Sequence, residues 1–240
     1  MSIIWQEAVI HSKVFIRERY GIFLAFGMPI MLLLLFSSVF SSSSGESTSL
    51  LAGVICINTM SGALYGVGVN LVSLREQKIL RRYKVTPVPL WKVILGLCLS
   101  QVGLITVGTV LLMLVAKSIY KASLPNNLGA FFLVFIISTF MFCTMAFAVA
   151  SIARSGQQAN ALTQVIFLPM MFLSGATLPY EVMPIWIQKI AMALPATYFV
   201  SSLRHVFTGG ALQGIWLNIG VMTGVSLIAG IFSVRFFRWE

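Results

Sequence analysis

The sequence contains no aspartate, only six glutamates and only two histidines, His11 and His205. Enzymes that move protons, attack substrates or bind catalytic metals need such groups close together. The chain also lacks the GxxxxGK[ST] loop that holds nucleotide phosphates. We therefore expect no enzyme active site and no cofactor in this chain.

Cysteine is also scarce, with Cys56, Cys98 and Cys143 as the three examples. Each lies inside an apolar run, and none has the CxxC or Cys/His spacing that is typical of a metal site. We expect these residues to pack as small apolar side chains. No bound metal is predicted.

Apolar residues, in contrast, make up 58% of the sequence, and charged residues only 9%. This balance exceeds what a soluble core requires. A helix needs about 20 apolar residues to cross the hydrocarbon core of a bilayer, and several such runs are present. The sequence therefore predicts an all-α integral membrane protein with a single transmembrane domain over residues 1–240. Its six predicted spans lie at about residues 22–40, 50–74, 93–116, 128–153, 159–178 and 215–234.

The basic residues predict how these spans are oriented. Most of the sixteen lysines and arginines fall in the termini and in the loops assigned to one side, and residues 75–92 hold the densest group. Short loops rich in Lys and Arg stay in the cytoplasm. Both termini and the 75–92 loop are therefore predicted to be cytoplasmic. Residues 1–20 are predicted to form an interfacial helix, with an irregular cytosolic tail as the alternative.

Residues 179–211 are apolar but repeatedly interrupted, so they fit poorly as a seventh span. A seventh span would place Arg235 and Arg238 outside the cell, against the charge rule. We predict instead a broken re-entrant hairpin, made of two short helices that meet near Pro195 before the last span. The interrupting residues are Pro179, Glu181, Pro184, Lys189, Pro195, Arg204 and His205.

None of the six glutamates falls inside a predicted span. Ion-coupled carriers usually bury ionisable groups near the membrane midplane, so this class of transporter is disfavoured. If the protein transports against a gradient, another chain must supply the energy. Uncharged polar residues inside the spans are candidates to line a path or to bond neighbouring helices, and the second role is the commoner one. They are Asn58, Asn70, Gln101, Asn160, Gln164 and Ser174.

Two stretches carry a resemblance to a known family. The first, Leu74 to Pro87, reads LREQKILRRYKVTP, an acidic and basic segment that ends in Thr-Pro. The second, from Phe172 to Arg204, has the spaced pattern SG…P…MP.W…P.TY…R. Together with the predicted topology, they resemble the permease subunits of type-2 ABC exporters. The resemblance extends over essentially the whole chain, although residues 76–80 (EQKIL) depart from the family's common E-R-x-x-G-T core.

This resemblance implies a dimer of permeases, formed with a second copy or a paralogue, that binds cytosolic ABC ATPase subunits. Those ATPases carry the ATP and Mg, membrane lipid surrounds the dimer, and no nucleic acid is involved. In the family, the loop after the second span docks on the ATPase as a short coupling helix, which corresponds here to about residues 75–84. Membrane topology is the alternative role for its basic residues. The implied ATPase-coupling residues are Arg75, Glu76, Arg81 and Arg82.

The resemblance further implies that the broken segment before the last span caps a translocation path. Arg204 is expected to meet a lipid phosphate or a structural partner rather than an anionic substrate. The implied function is ATP-driven export, across the bacterial plasma membrane, of a hydrophobic or amphipathic cargo such as a drug, an antimicrobial peptide or a lipid-linked molecule. A non-transporting scaffold or sensor coupled to an ATPase is the alternative. The implied residues of the outer hairpin are Gly175, Pro179, Pro184, Pro195 and Arg204.

Overall fold

The computed structural model describes residues 3–17, 22–40, 44–79, 89–177, 183–210 and 212–236. All regular structure within these ranges is helical. The first helices are α1 (Ile3–Arg17), α2 (π-helical Phe23–Gly27, then Met28–Phe40) and α3 (Ser44–Ala63, π-helical Leu64–Val69, then Asn70–Glu76). They are followed by α4 (Leu90–Tyr120), α5 (Leu128–Ile152), α6 (Gly156–Leu173), α7 (Ile185–Ala191), α8 (Pro195–Phe207) and, after a 3-10 turn at Leu212–Ile215, α9 (Trp216–Phe236).

Four of the described helices are long and apolar enough to cross a membrane. They are α4, α5, α9 and the Ser47–Glu76 part of α3. The apolar part of α2, Ala25–Val39, is shorter, and α6 is interrupted by several amide side chains. The predicted class, an all-helical integral membrane protein, is therefore confirmed. The count of six spans stays a prediction.

Helix α3 is the central element of the bundle. Within its most apolar stretch, 78% of the residues are buried, compared with 17% in α9. It packs on α2, α4, α5 and α8. Its glycines allow these close approaches: a Cβ built on Gly53 would overlap the carbonyl oxygen of Ala176, and one on Gly62 would overlap the Ile105 side chain. The glycine positions therefore fix how near the neighbouring helices lie.

Most buried apolar residues of the described ranges fall into two clusters. The large one, the main core, joins α3 to α2, α4, α5, α8 and α9, and it includes Leu64 and Val67 of the π-helical segment. The small one begins after that segment, with Leu71 and Val72 of α3. The π-helical part of α3 thus lies where the two clusters meet. The small cluster, called the alanine cluster below, consists of Leu71, Val72, Leu97, Ala150, Ala153 and Ala159.

Helix α1 lies against the first part of α4. Glu7 and Ala8 are buried there, because Gly96 of α4 has no side chain that would collide with Glu7. The hydroxyls of Ser12 and Ser100 are 2.9 Å apart and share a hydrogen bond. Residues Ile3–Arg17 therefore form a helix that is attached to the bundle through small residues of α4. Its position at a membrane interface stays a prediction.

Two short helices, α7 and α8, occupy the interval for which a broken hairpin is predicted. Pro184 directly precedes α7, and Pro195 is the first residue of α8. Proline suits this position because the first N–H groups of a helix have no partner within it. One face of α8 is buried against α3, α5 and α9, with Phe199 and Leu203 fully enclosed. The re-entrant path of this segment through a membrane stays a prediction.

Candidate functional site

The first two predicted coupling residues, Arg75 and Glu76, lie in the last turn of α3. The helix ends directly after them: the Gln77 N–H donates to the Ser73 carbonyl, and Lys78 takes the left-handed conformation with φ of 56°. They therefore continue the second predicted span rather than begin a separate segment. The other two, Arg81 and Arg82, lie outside the described residues.

Arg75 and Glu76 both contact the turn between α5 and α6. The half-buried Arg75 guanidinium donates to the carbonyl oxygen of Ala153, the residue directly after α5. Glu76 Oε2 accepts a hydrogen bond of 2.7 Å from the N–H of Gly156, the first residue of α6. The structure thus brings these two site residues together on backbone groups that lie about 80 residues further along the chain.

Among the predicted residues of the outer hairpin, Gly175 and Arg204 contact each other directly. Arg204 Nη2 donates to the Gly175 carbonyl oxygen at 2.7 Å. Gly175 has a φ of 82°, a conformation that favours glycine. This bond ties α8 to the turn that follows α6, so the structure gives Arg204 a structural partner. Pro184 directly precedes α7, Pro195 is the first residue of α8, and Pro179 lies outside the described residues.

The polar residues inside the spans divide into two groups. Asn58 is buried and donates to the Ile105 carbonyl and to the Thr109 hydroxyl, both at 3.2 Å, so it joins α3 to α4. Gln101 and Ser174 are also buried inside the chain. The second group, Asn70, Asn160 and Gln164, is exposed. Asn58 therefore serves packing between α3 and α4, and the exposed group is available to a path or a partner.

Three of the four exposed amides of α6 lie on one face of that helix. Gln157, Asn160 and Gln164 are separated by three and four residues, the spacing that places side chains above one another on a helix. All three are exposed, whereas Ala159 and Thr163 on the opposite side are fully buried. Amide groups without partners are costly in hydrocarbon. This polar face of α6 therefore suits contact with water or with another protein better than contact with lipid.

A cavity of about 480 Å³ lies between α4 and α5, away from these amides. Its threonine hydroxyls donate to carbonyls of their own helices: Thr106 to Val102, Thr139 to Phe135 and Thr144 to Met141, each at 2.7 Å. The rest of its lining is apolar apart from two thiols, and it includes no residue of α3 or α6. The cavity therefore presents a hydrocarbon surface and is separate from the polar face.

Comparison with known families decides the class of the protein. The profile of the ABC-2 type transporter family matches residues 3–208. The chain belongs to this family. The match includes both stretches on which the resemblance to type-2 ABC permeases rests, so that resemblance is confirmed. It also includes every residue of the α5–α6 turn and the whole of α8.

Individual relatives of this ABC-2 chain are distant in sequence. The inner membrane transport permease YhhJ of Escherichia coli is 26% identical over 193 residues, which are 78% of this chain and 51% of YhhJ. The probable multidrug ABC transporter permease YbhR of the same organism is 21% identical over 186 residues, 77% of this chain and 50% of YbhR. ABC transporter G family member 20 of Dictyostelium discoideum is 21% identical over 182 residues, 75% of this chain and 24% of that protein. The chain thus spans about half the length of the two bacterial permeases.

Sequence reasoning missed two parts of the candidate site. The partners of Arg75 and Glu76 are backbone groups of Ala153 and Gly156, and a backbone group leaves no signal in the residue types. Gln157 was also missed, although Asn160 and Gln164 were candidates. Its helical spacing from Asn160 and Gln164 is a signal by which it could have been found.

Proposed function

We propose that this chain is the membrane-spanning subunit of an ATP-driven exporter. Its family membership and its long apolar helices support a transport role. The energy is supplied by a separate cytosolic ABC ATPase, which binds the ATP and Mg. The protein resides in the plasma membrane as a multi-pass subunit of six spans, with both termini and the loop between α3 and α4, residues 77–89, in the cytoplasm.

The polar face of α6 is the observation that carries this proposal. Within a bundle of apolar helices, Gln157, Asn160 and Gln164 expose three amides along one side of α6. The main core does not cover them, and lipid would leave their hydrogen bonds unmet. A water-filled path that opens during transport satisfies them. Uncharged amides suit a path for amphipathic cargo, because they hydrogen-bond to a cargo without a requirement for charge.

A second permease copy or a paralogue completes the path in this proposal. The polar face lies on the surface of the single chain, so a path needs a second wall. If two polar faces oppose each other, the amides are enclosed between the subunits and shielded from lipid. Tyr65 of α3 packs on Phe167 of α6, with ring centroids 5.5 Å apart. In this proposal, the contact transmits a movement of α3 to α6, which forms one side of the path.

The loop between α3 and α4 is the proposed contact with the ATPase. It carries the densest group of basic residues in the sequence, and it includes Arg81 and Arg82. Arginine forks pair with carboxylates across interfaces. The cargo is proposed to be hydrophobic or amphipathic, a drug, antimicrobial peptide or lipid-linked molecule. The word multidrug in the name of YbhR supports the first of these.

Cysteine labelling tests the path without knowledge of the cargo. Asn160→Cys and Gln164→Cys are made singly in a background in which Cys56, Cys98 and Cys143 are alanine. Val165→Cys is the matched control, since Val165 is 70% exposed on another side of the same helix. A membrane-impermeant maleimide should react at least about tenfold faster at positions 160 and 164 than at 165, because only water-exposed thiols form reactive thiolates.

Equal, slow labelling at all three positions would contradict a path along α6. Copurification with an ABC ATPase, sought first among the products of the neighbouring genes, tests the energy source. Liposomes that contain both proteins then test ATP-dependent movement of ethidium, a lipophilic cation. Assembly and ATP hydrolysis without water access at positions 160 and 164 would favour the non-transporting scaffold.

A further inference from the structure

The turn between α5 and α6 brings two helix ends of opposite polarity close together. Helix α5 ends at Ile152 and α6 begins at Gly156, so only residues 153–155 separate them. A helix carries a partial negative charge at its C-terminus and a partial positive charge at its N-terminus. The last carbonyls and the first N–H groups also lack partners within their own helices. This turn therefore presents an acceptor and a donor side by side.

The last turn of α3 supplies the complementary charges in the matching order. The cationic Arg75 side chain donates to the Ala153 carbonyl, at the negative end of α5. The anionic Glu76 side chain accepts from the Gly156 N–H at 2.7 Å, at the positive end of α6. Each charge thus meets the helix end that it stabilises. Arg75 and Glu76 therefore match the turn only in this order along the chain. In the reverse order, each charge would lie near the helix end of the same sign.

The alanine cluster holds the same elements together beside this pair. Leu71 and Val72 of α3 pack with Ala150 and Ala153 at the end of α5 and with Ala159 in α6. Ser73 also approaches α6, since a Cβ built on Gly156 would lie 3.0 Å from its hydroxyl oxygen. Small side chains allow the helices to approach closely. The last turns of α3 and the first turns of α6 are therefore in contact through both polar and apolar groups.

This contact region is separated from the main core by the π-helical segment Leu64–Val69. Such segments interrupt the regular ladder of a helix and often occur at functional sites. Asn70 donates to the Gly66 carbonyl at 2.9 Å, so a side chain satisfies one of the carbonyls in the irregular stretch. The part of α3 that follows, Asn70–Glu76, is attached to the α5–α6 turn and is joined to the main core through an irregular segment.

We propose that Arg75 and Glu76 are positioning residues that hold the last turn of α3 against the first turn of α6. This contact is called the tie below. A displacement of the loop between α3 and α4, residues 77–89, then moves the start of α6, and with it the polar face that begins at Gln157. The proposal rests on the proposed function, since it takes the ATPase to act on that loop. It differs from the role that the family resemblance implies, in which Arg75 and Glu76 contact the ATPase themselves.

Gly156 permits a clean test of this tie. Gly156→Pro removes the N–H that Glu76 accepts from, and proline is well tolerated at the first position of a helix. Ser155 already has the extended conformation, φ −134° and ψ 159°, that a residue before proline requires. Gly156→Ala is the matched control, because it adds the same Cβ against Ser73 and Glu76 but keeps the N–H.

The first measurement uses the permease alone in lipid nanodiscs. Amide hydrogen exchange at Gly156 should be about three- to tenfold faster in Glu76→Ala than in the wild type, because the hydrogen bond is lost. Glu76→Gln should lie between the two, since it keeps an acceptor oxygen but not the charge. Unchanged exchange at Gly156 in Glu76→Ala would overturn the tie.

The second measurement uses the permease with its ATPase and reads maleimide labelling of Gln164→Cys with and without ATP. In Gly156→Ala, ATP should change the labelling rate, and in Gly156→Pro this response should be lost, while both variants bind the ATPase equally. A full ATP response in Gly156→Pro would overturn the inference, and so would loss of ATPase binding in Glu76→Ala. If no ATPase binds the wild type, the proposed function fails instead, and the exchange measurement still decides whether the tie exists.

Discussion

The two ends of the bundle are held together by different kinds of contact. At the end that carries α8, aromatic rings fill the main core: Phe142 packs edge-on against Phe199 with centroids 6.1 Å apart, and Phe131 against Phe207 at 6.0 Å. At the end that carries Glu76, small side chains and hydrogen bonds to helix ends make the contacts. Shape complementarity is costly to change, whereas single polar contacts are cheap. The α8 end is therefore expected to stay rigid while the Glu76 end moves.

Truncation of a fully buried ring at the α8 end should have the largest effect on stability. Phe199→Ala removes a fully buried side chain from the main core, and we expect a loss of about 3–5 kcal/mol of stability. Thermal unfolding of the purified protein in detergent measures this loss. Phe132→Ala is the control, since Phe132 is 51% exposed. An equal loss of stability in both variants would show that Phe199 contributes no more to the stability of the α8 end than an exposed ring does.

The close approach of α3 to the turn after α6 should be the next most sensitive feature. In Gly53→Ala, the new methyl group would overlap the Ala176 carbonyl oxygen, so we expect a loss of about 1–3 kcal/mol. Gly103→Ala is the matched control, because a Cβ there meets nothing within 4 Å. This control should be neutral or gain up to about 1 kcal/mol from helix propensity. Thermal unfolding in detergent measures the stability of both variants. A Gly53→Ala variant as stable as the wild type would contradict the close packing.

At the other end, loss of a charged side chain should cost little stability. Glu76 is exposed, so Glu76→Ala should lower stability by less than about 1 kcal/mol although it removes the bond to Gly156. The effect of this variant is expected in the response to ATP rather than in thermal unfolding. A loss as large as that of Phe199→Ala would remove the distinction between the two ends.

The smallest effect is expected from pH, through His11 of α1. Burial lowers the pKa of His11 below its ordinary value of 6.5, and the nearby Glu7 opposes this shift. Its Nε2 is buried without a hydrogen-bond partner among the described residues. The folded state therefore binds this proton less readily than the unfolded state does, and stability should fall as the pH drops below about 6.5. The difference between wild type and His11→Gln, measured at pH 5 and pH 7.5, should show this dependence, and parallel curves would contradict it.

The features that the sequence predicts well are those that a short stretch determines by itself. Twenty-residue apolar runs exceed what a soluble fold needs, so the membrane class could be predicted. Proline favours the first position of a helix, so the start of α8 at Pro195 follows from one residue. The two motif stretches, Leu74 to Pro87 and Phe172 to Arg204, were sufficient for the family together with the predicted topology, and the match over residues 3–208 confirms it.

The features that could not be predicted depend on distant parts of the chain. Arg75 and Glu76 look like loop residues because they are charged, yet the α5–α6 turn draws them into the last turn of α3. The burial of Glu7 depends on the space left by Gly96 of α4, which local periodicity does not show. The π-helical segment of α3 likewise has no signature in its residues, because packing on several helices determines it.

That π-helical segment also affects how the chain tolerates changes of length. A π-helical turn accommodates one more residue than an α-helical turn does. Deletion of a single residue within Leu64–Val69 can therefore be absorbed by reversion to regular α-helix, with both ends of α3 kept in register. Anywhere else in α3, the same deletion would rotate one end relative to the other by about 100° and turn Arg75 and Glu76 away from their partners.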